Sequence, residues 1–175
     1  EYGIQERFSN KTAIAPTASI SIICGGTSPG VEPIAANSYT HKTLSGSFNV
    51  RNKYLKKLLE KHGKNTDEVW SSITTNQGSV SHLEFLTKEE KETFKTAFEI
   101  DQRWIVELGA DRTPHISQAQ SINVFVPADI HKKELHDIHF QAWKKGLKSL
   151  YYCRSKSIQR AENVEAGSST DVTKN

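Results

Sequence analysis

Small hydroxyl residues follow a proline in the segment Pro16-Thr17-Ala18-Ser19-Ile20, after a strand predicted at Lys11–Ala15. A helix is expected to begin here, and the first N–H groups of a helix have no internal partner and favour an anion. The glycine-rich loop 25–30 behind the segment would let a ligand approach the backbone closely. Two interpretations stay open: a phosphate-binding turn, or a helix that Thr17 or Ser19 merely caps.

Two adjacent tyrosines, Tyr151 and Tyr152, lie in a predicted strand near the other end of the chain. Successive strand residues face opposite ways, so such a pair is usually one core and one surface aromatic. The alternative is redox chemistry, because a phenol can give up an electron and a proton, and neighbouring phenols could relay them.

Two further polar groups are weaker candidates. The run 117–121 (Ser-Gln-Ala-Gln-Ser) could bind a substrate or fix neighbouring loops, although a solvated turn is the simpler interpretation. His131, His136 and His139 share one predicted helix, but no HExxH pattern or nearby cysteine ligand accompanies them, which favours surface histidines over a metal site.

The elements that must position these residues follow from periodicity and capping. Short helices are predicted at Lys53–His62 and Thr66–Thr75, and irregular extended chain at Thr40–Val50. A long helix is predicted from Thr87, where Thr87 and Glu90 form a capping box, through Leu108 to a stop at Gly109.

A strand at Ser121–Val126, a helix at Ala128–Lys145 and a strand at Leu147–Arg154 form a predicted βαβ unit. Such a unit implies parallel strands and a right-handed crossover. The opening residues Glu1–Phe8 read as the end of a polar helix, and the polar stretch from Glu162 onward reads as a flexible tail.

Composition limits the function classes. The chain has 175 residues, enough for one domain, and a net charge of +3 from 23 basic and 20 acidic residues. The basic residues are spread along the chain, which argues against a nucleic-acid binder. No apolar run is long enough to span a membrane and no signal peptide is visible, so we expect a cytoplasmic protein. Because the chain has no methionine, we expect it to be a piece of a longer protein.

Taken in order, several segments resemble the C-terminal part of the large, catalytic subunit of class I ribonucleotide reductase. The matching segments are Ala15-Pro16-Thr17-Ala18-Ser19, Glu32-Pro33, Tyr39-Thr40, Leu44-Ser45-Gly46, Gln118-Ala119-Gln120-Ser121-Ile122-Asn123, Trp143-Lys144-Lys145-Gly146-Leu147-Lys148 and Tyr151-Tyr152.

The resemblance implies an α/β fold, the C-terminal portion of the family's ten-stranded α/β barrel over residues 1–160, followed by a flexible polar tail at 161–175. It implies that Pro16, Thr17, Ala18, Ser19 and Ile20 bind the substrate diphosphate, mainly through backbone N–H groups. It also implies that the tyrosine pair passes a radical, with Tyr151 next to the active-site cysteine and Tyr152 nearer the subunit interface.

The resemblance further implies that the thiyl cysteine and the site for ATP and dNTP effectors lie upstream of this sequence. Cys24 and Cys153 match no catalytic position, so we expect both to be structural. The implied partners are the rest of the large subunit, as a homodimer, and a small subunit that makes the radical with a dimetal centre. Thioredoxin or glutaredoxin is the implied reductant, no cofactor is expected on this segment, and we expect no turnover by this chain alone.

Two alternatives remain open: a non-catalytic module that binds a phosphate-bearing ligand, and a degenerate scaffold. A relay would lose turnover when both tyrosines become phenylalanine, whereas a binding module has no turnover to lose.

Overall fold

The computed structural model describes residues 3, 10–26, 28–44 and 46–156. Its helices there are α1 (Ala18–Ile23), α2 (Lys53–Lys61), α3 (Asp67–Thr75), α4 (Lys88–Thr93), α5 (Gln102–Arg112) and α6 (Lys132–Lys144), with 3-10 turns at Ala97–Glu99 and Thr113–His115. Its strands there are β1 (Ser38–Thr43), β2 (Gly46–Arg51), β3 (Val124–Val126) and β4 (Cys153–Ser155). The predicted helix end at 1–8, apart from Gly3, and the predicted tail at 161–175 lie outside the described residues.

Helices α2 and α3 confirm the sequence prediction because each has a side-chain cap and an apolar face. The Asn52 side chain accepts from the backbone N–H of Tyr54 at 3.0 Å, and Thr66 Oγ1 accepts from Val69 N at 3.5 Å. The apolar faces meet in a first core with the segment that follows α3. Its buried members are Leu55, Leu59, Trp70, Ile73, Val80, Leu83 and Leu86.

The prediction of irregular chain at Thr40–Val50 is wrong, because β1 and β2 pair as an antiparallel hairpin. Thr43 pairs with Gly46, whose φ of 135° lies in a region that favours glycine and lets the chain reverse. At the other end of the hairpin, the fully buried Asn37 donates to Gly78 O at 3.0 Å and Phe94 O at 2.8 Å. These long-range hydrogen bonds hold the hairpin in place, and a local sequence pattern does not predict them.

The long helix predicted from Thr87 to Leu108 is also wrong, although its start is right. Thr87 and Glu90 form the expected capping box, with Glu90 N donating to Thr87 Oγ1 at 3.2 Å. Helix α4 nevertheless ends at Thr93, and α5 begins only at Gln102.

A second set of caps breaks this helix. Thr96 donates to Glu99 Oε2 through both its N–H and its hydroxyl at 2.8 Å, and Asp101 Oδ1 accepts from Arg103 N at 3.0 Å to cap α5. Threonine and aspartate at these positions compete with helical bonding. Gly109 does not end α5, which continues to Arg112.

The predicted βαβ unit is present, with shorter elements. Strands β3 and β4 pair in parallel, with Val124 opposite Cys153, and α6 begins at Lys132 rather than Ala128 because His131 Nδ1 caps it. The strand expected at Leu147–Arg154 covers only Cys153–Ser155. Helices α5 and α6 bury a second core against β3, formed by Val106, Val124, Val126, Ile138 and Ala142.

A third extended segment lies along the segment that leads into β3. The strand predicted at Lys11–Ala15 is reduced to one parallel bridge, between Ile14 and Gln120. Gln118 N donates to Thr12 O and Ser121 N donates to Ile14 O, both at 2.9 Å. Residues 12–14, 118–126 and 151–155 therefore run side by side. None of the helices in the described part of the chain is long and apolar enough to cross a bilayer.

Candidate functional site

The start of α1 presents exposed backbone donors. Thr17 is its N-cap residue and makes no side-chain cap bond, and within the described residues no backbone acceptor pairs with the N–H groups of Ala18, Ser19 or Ile20. All three residues are exposed. The N–H of Thr17 is occupied, because it donates to Pro29 O at 3.1 Å. An anion at this turn would therefore meet three N–H groups that have no partner among the described residues, with Thr17 offering its hydroxyl rather than its backbone.

The polar run 117–121 is exposed at Ser117, Gln118 and Ala119, but its buried member Gln120 fixes neighbouring loops. Gln120 is only 5% exposed, and its Nε2 donates to Gly109 O at 2.8 Å and Thr113 Oγ1 at 3.0 Å. Its Oε1 accepts from Arg112 Nε at 3.0 Å. Gln120 thereby ties the end of α5 to the segment that pairs with residues 12–14, just before the exposed donors of α1.

The two tyrosine rings are in contact. The ring centroids of Tyr151 and Tyr152 are 4.1 Å apart with 55° between the planes, and both side chains are about half exposed. The expectation that they face opposite ways fails because both residues precede β4. Their backbone is still held in register: Tyr151 N donates to Ile122 O at 2.7 Å, and Val124 N donates to Tyr152 O at 2.8 Å.

The neighbours of Tyr151 shift its acidity. A side-chain hydrogen bond with Tyr152 raises the pKa of Tyr151 above its ordinary value, and the positive charge of Arg154 opposes this rise. The Arg154 guanidinium carbon lies 5.5 Å from the centre of the Tyr152 ring. Tyr151 therefore stays a neutral phenol at physiological pH.

Glu32, for which the sequence pattern predicts no role, is buried to 5% exposure. Its Oε1 accepts a short hydrogen bond from Asn123 N, and its Oε2 accepts from Asn123 Nδ2 at 3.4 Å. The only sequence signal was an acidic residue inside the matching Glu32-Pro33 segment. Asn123 lies between Ile122 and Val124, which bind the backbone of the two tyrosines. Glu32 therefore binds the residue between these two backbone contacts.

The histidines and cysteines form no site together. Among the residues that the structure describes, no group of three or more His, Cys, Asp or Glu could hold a metal ion. His131 caps α6, His139 Nδ1 lies 2.8 Å from Leu135 O, and His136 stacks on Phe140. Cys24 and Cys153 are exposed free thiols, so neither fills a core position.

Comparisons with known proteins identify the family that the chain resembles. Residues 1–153 match the family described as "Ribonucleotide reductase, barrel domain". The large subunit of ribonucleoside-diphosphate reductase from Invertebrate iridescent virus 6 is 51% identical over 168 residues, which cover 94% of this chain and 18% of that protein. The alpha subunit of the Chlamydia pneumoniae enzyme is 38% identical over 93% of this chain and 15% of its own length.

A solved structure is similar as well. The alpha subunit of the class Id ribonucleotide reductase of Actinobacillus ureae superposes with a TM-score of 0.74 at 44% identity, over 82% of this chain and 26% of that chain. The chain thus spans between about a seventh and about a quarter of these relatives' lengths. With a family match over 1–153 and the parallel βαβ unit of its fold, the chain belongs to the ribonucleotide reductase barrel-domain family and forms part of that α/β barrel.

Proposed function

We propose that the chain is part of the catalytic barrel of a ribonucleoside-diphosphate reductase large subunit. The whole protein would reduce ribonucleoside diphosphates to 2′-deoxyribonucleoside diphosphates by radical chemistry. The names of the relatives support the reaction, and the contact between the Tyr151 and Tyr152 rings is the observation that carries this chain's part in it.

The substrate diphosphate binds at the start of α1 in this proposal. The free N–H groups of Ala18, Ser19 and Ile20 face the anion, Thr17 adds its hydroxyl, and Pro16 directs the chain into the turn. Backbone donors suit a diphosphate because they are fixed in direction and the helix dipole adds to them.

The tyrosine pair relays the radical. A phenoxyl radical on Tyr152 takes one electron and one proton from the phenol of Tyr151, which leaves Tyr152 as a phenol and Tyr151 as the radical. The ring contact of 4.1 Å favours a direct step in which the electron and the proton both pass from one phenol to the other. Moving both together avoids a charged intermediate.

The remaining parts belong to other segments and partners. The small subunit, with a dimetal centre, generates the radical, and the rest of the large subunit supplies the thiyl cysteine and the ATP and dNTP effector sites. Thioredoxin or glutaredoxin returns the electrons, and the large subunit is a cytoplasmic homodimer. This chain by itself has no turnover.

The relay is tested by Tyr151→Phe and Tyr152→Phe in the complete large subunit assembled with its small subunit. Phenylalanine keeps the ring but has no phenolic proton, so turnover falls to background while nucleoside diphosphate affinity is unchanged. The control is Tyr54→Phe, since Tyr54 is an exposed tyrosine on α2 far from the pair in sequence. Full turnover in both tyrosine variants would reject the relay, and binding without any turnover in the parent protein would favour the non-catalytic binding module.

The diphosphate site is tested by Thr17→Val, which keeps the side-chain shape and removes the hydroxyl. We expect nucleoside diphosphate affinity to fall about threefold to tenfold, the usual worth of one hydrogen bond, and nucleoside affinity to stay the same. Equal losses for both ligands would place the diphosphate elsewhere. Thr75→Val is the control, because Thr75 is an exposed residue at the end of α3.

A further inference from the structure

Glu32 is a buried carboxylate that the proposed reaction does not use. It is 5% exposed, and its two carboxylate oxygens accept from the backbone N–H and the side-chain Nδ2 of Asn123, 91 residues away. Asn123 is itself 8% exposed, and its Oδ1 has no partner among the described residues. The Glu32 carboxylate is therefore the group that orients the Asn123 side chain.

Asn123 in turn sits at the anchor of the tyrosine pair. The residue before it, Ile122, accepts the N–H of Tyr151, and the residue after it, Val124, donates to the carbonyl of Tyr152. A shift of the backbone at Asn123 moves both of these bonds at once. The 4.1 Å contact between the rings follows from how the two residues are held on this segment.

The loop on the other side of Glu32 is shaped to hold the carboxylate. Ser28 Oγ donates a short hydrogen bond to Glu32 O, and a Cβ at Gly30 would overlap Glu32 Oε2. Gly30 has no positive φ, so what favours glycine there is space rather than backbone conformation. Pro29, in the same loop, accepts the N–H of Thr17 at the start of α1.

We infer that Glu32 is a positioning residue for the radical relay: through Asn123 it sets the placement of Tyr151 and Tyr152. The inference rests on the proposed function of the tyrosine pair. Glu32 acts through the strand backbone and touches neither phenol, so its effect is on the distance and orientation of the rings.

The test uses Glu32→Gln and Gly30→Ala in the complete large subunit with its small subunit. Glu32→Gln keeps the side-chain size but turns one acceptor into a donor that faces Asn123 Nδ2. Gly30→Ala leaves the Glu32 carboxylate in the chain, but the new Cβ would overlap Glu32 Oε2 and push the carboxylate out of its place. Both variants should lower kcat about tenfold to a hundredfold, as a misplacement near 1 Å does, with KM for the nucleoside diphosphate unchanged. Glu84→Gln, at an exposed position, is the control and keeps full kcat.

A second readout reports the pair directly and needs no turnover. With 3-fluorotyrosine at position 151, fluorine NMR follows the titration of this phenol in the complete large subunit. Because the hydrogen bond with Tyr152 raises the pKa of Tyr151, loosening the pair should lower that pKa in both variants. In the Tyr152→Phe variant, adding Glu32→Gln should not change the pKa of Tyr151 any further. This result would separate an effect that acts through the tyrosine pair from a general disturbance of the structure.

The outcomes are distinct for the two proposals. If the tyrosine variants keep turnover, the proposed relay fails whatever Glu32 does. If they lose turnover while Glu32→Gln and Gly30→Ala keep kcat and the Tyr151 titration, the positioning role is wrong and the relay stands. Should Glu32→Gln not fold, judged by its thermal unfolding, Gly30→Ala decides the question on both readouts.

Discussion

Thr12 and Ser117 are 105 residues apart and bind each other through backbone and side chain in both directions. Ser117 Oγ accepts from Thr12 N at 2.8 Å, and Ser117 N donates to Thr12 Oγ1 at 2.9 Å. Ser117 Oγ also accepts from Lys11 N at 2.8 Å. This clamp fixes the chain immediately before the exposed donors of α1, so it prepares the proposed diphosphate site without being part of it.

Ser117→Ala should loosen this clamp. Two backbone N–H groups, of Lys11 and Thr12, lose their acceptor and turn to water, since the site is exposed. We expect amide hydrogen exchange in residues 11–14 to become about threefold to tenfold faster, as the loss of one net hydrogen bond implies. Mass spectrometry of the exchanged peptides measures this. Ser71→Ala, on the exposed side of α3, should leave these peptides unchanged, and unchanged exchange in Ser117→Ala would disprove the clamp.

Gly109→Ala should destabilise the protein although alanine favours helices. A Cβ at Gly109 would lie 2.6 Å from Ile122 Cδ1 and 3.3 Å from Leu147 Cδ2. Overpacking of this kind costs about 1–3 kcal/mol, against a helix-propensity gain of about 1 kcal/mol. Denaturant unfolding should show the net loss. Ile122→Val removes the clashing methyl, so the double variant should be more stable than the two separate effects predict; simple additivity would refute the contact.

Glu99 should make stability depend on pH. Burial raises the pKa of its carboxyl, but hydrogen bonds from Ser79 and Thr96 outweigh this and hold the pKa below its ordinary value. A lowered carboxyl pKa adds stability that is present above the unfolded-state pKa of about 4.3 and is lost as the pH falls through the folded-state pKa. The thermal midpoint of Glu99→Gln should therefore lie below that of the parent at neutral pH. The gap should narrow as the pH falls below that unfolded-state value and close once the pH has passed the folded-state pKa.

The control for this pH effect is Glu84→Gln, which replaces an exposed carboxylate and should follow the parent at every pH. A gap between Glu99→Gln and the parent that stays constant from neutral to acid pH would mean that the carboxylate charge contributes nothing.

Arg154 and Tyr152 should move the pKa of Tyr151 in opposite directions. Tyr152→Phe removes the hydrogen bond that raises this pKa, so the pKa should fall towards its ordinary value. Arg154→Gln removes a positive charge that stabilises the phenolate, so the pKa should rise further. Fluorine NMR of 3-fluorotyrosine at position 151 measures both shifts. Shifts of the same sign would contradict the arrangement of the three side chains.

Local sequence patterns were sufficient to predict a helix or strand where the residues that stabilise it lie within the same segment. The Thr87–Glu90 capping box, the helices α2 and α3 and the parallel β3–α6–β4 unit were predicted correctly, because the signals for each helix and strand lie within a few residues. The family resemblance was likewise carried by short segments in a fixed order, and the match over residues 1–153 confirms it.

Local patterns failed where two signals competed. Apolar spacing from Phe94 to Leu108 suggests one helix, yet the Thr96–Glu99 cap and the Asp101 cap interrupt it. Ala97 N also donates to Ile34 O at 2.9 Å, a bond to a distant loop that a continuous helix could not make. The tertiary bond and the local caps together outweigh periodicity.

The sequence by itself determined the family, the exposed turn after Pro16 and the presence of two adjacent phenols, because residue identity and order are enough for these. Only the tertiary structure decided that the phenols are in contact, that the N–H of Thr17 donates to Pro29 O, and that Glu32 is buried against Asn123. Glu32 and Asn123 lie 91 residues apart, and the backbone of the two tyrosines is held by Ile122 and Val124 on a different segment. The free energy of burying a polar group is favourable only once its distant partner is in place, so no short window of sequence contains it.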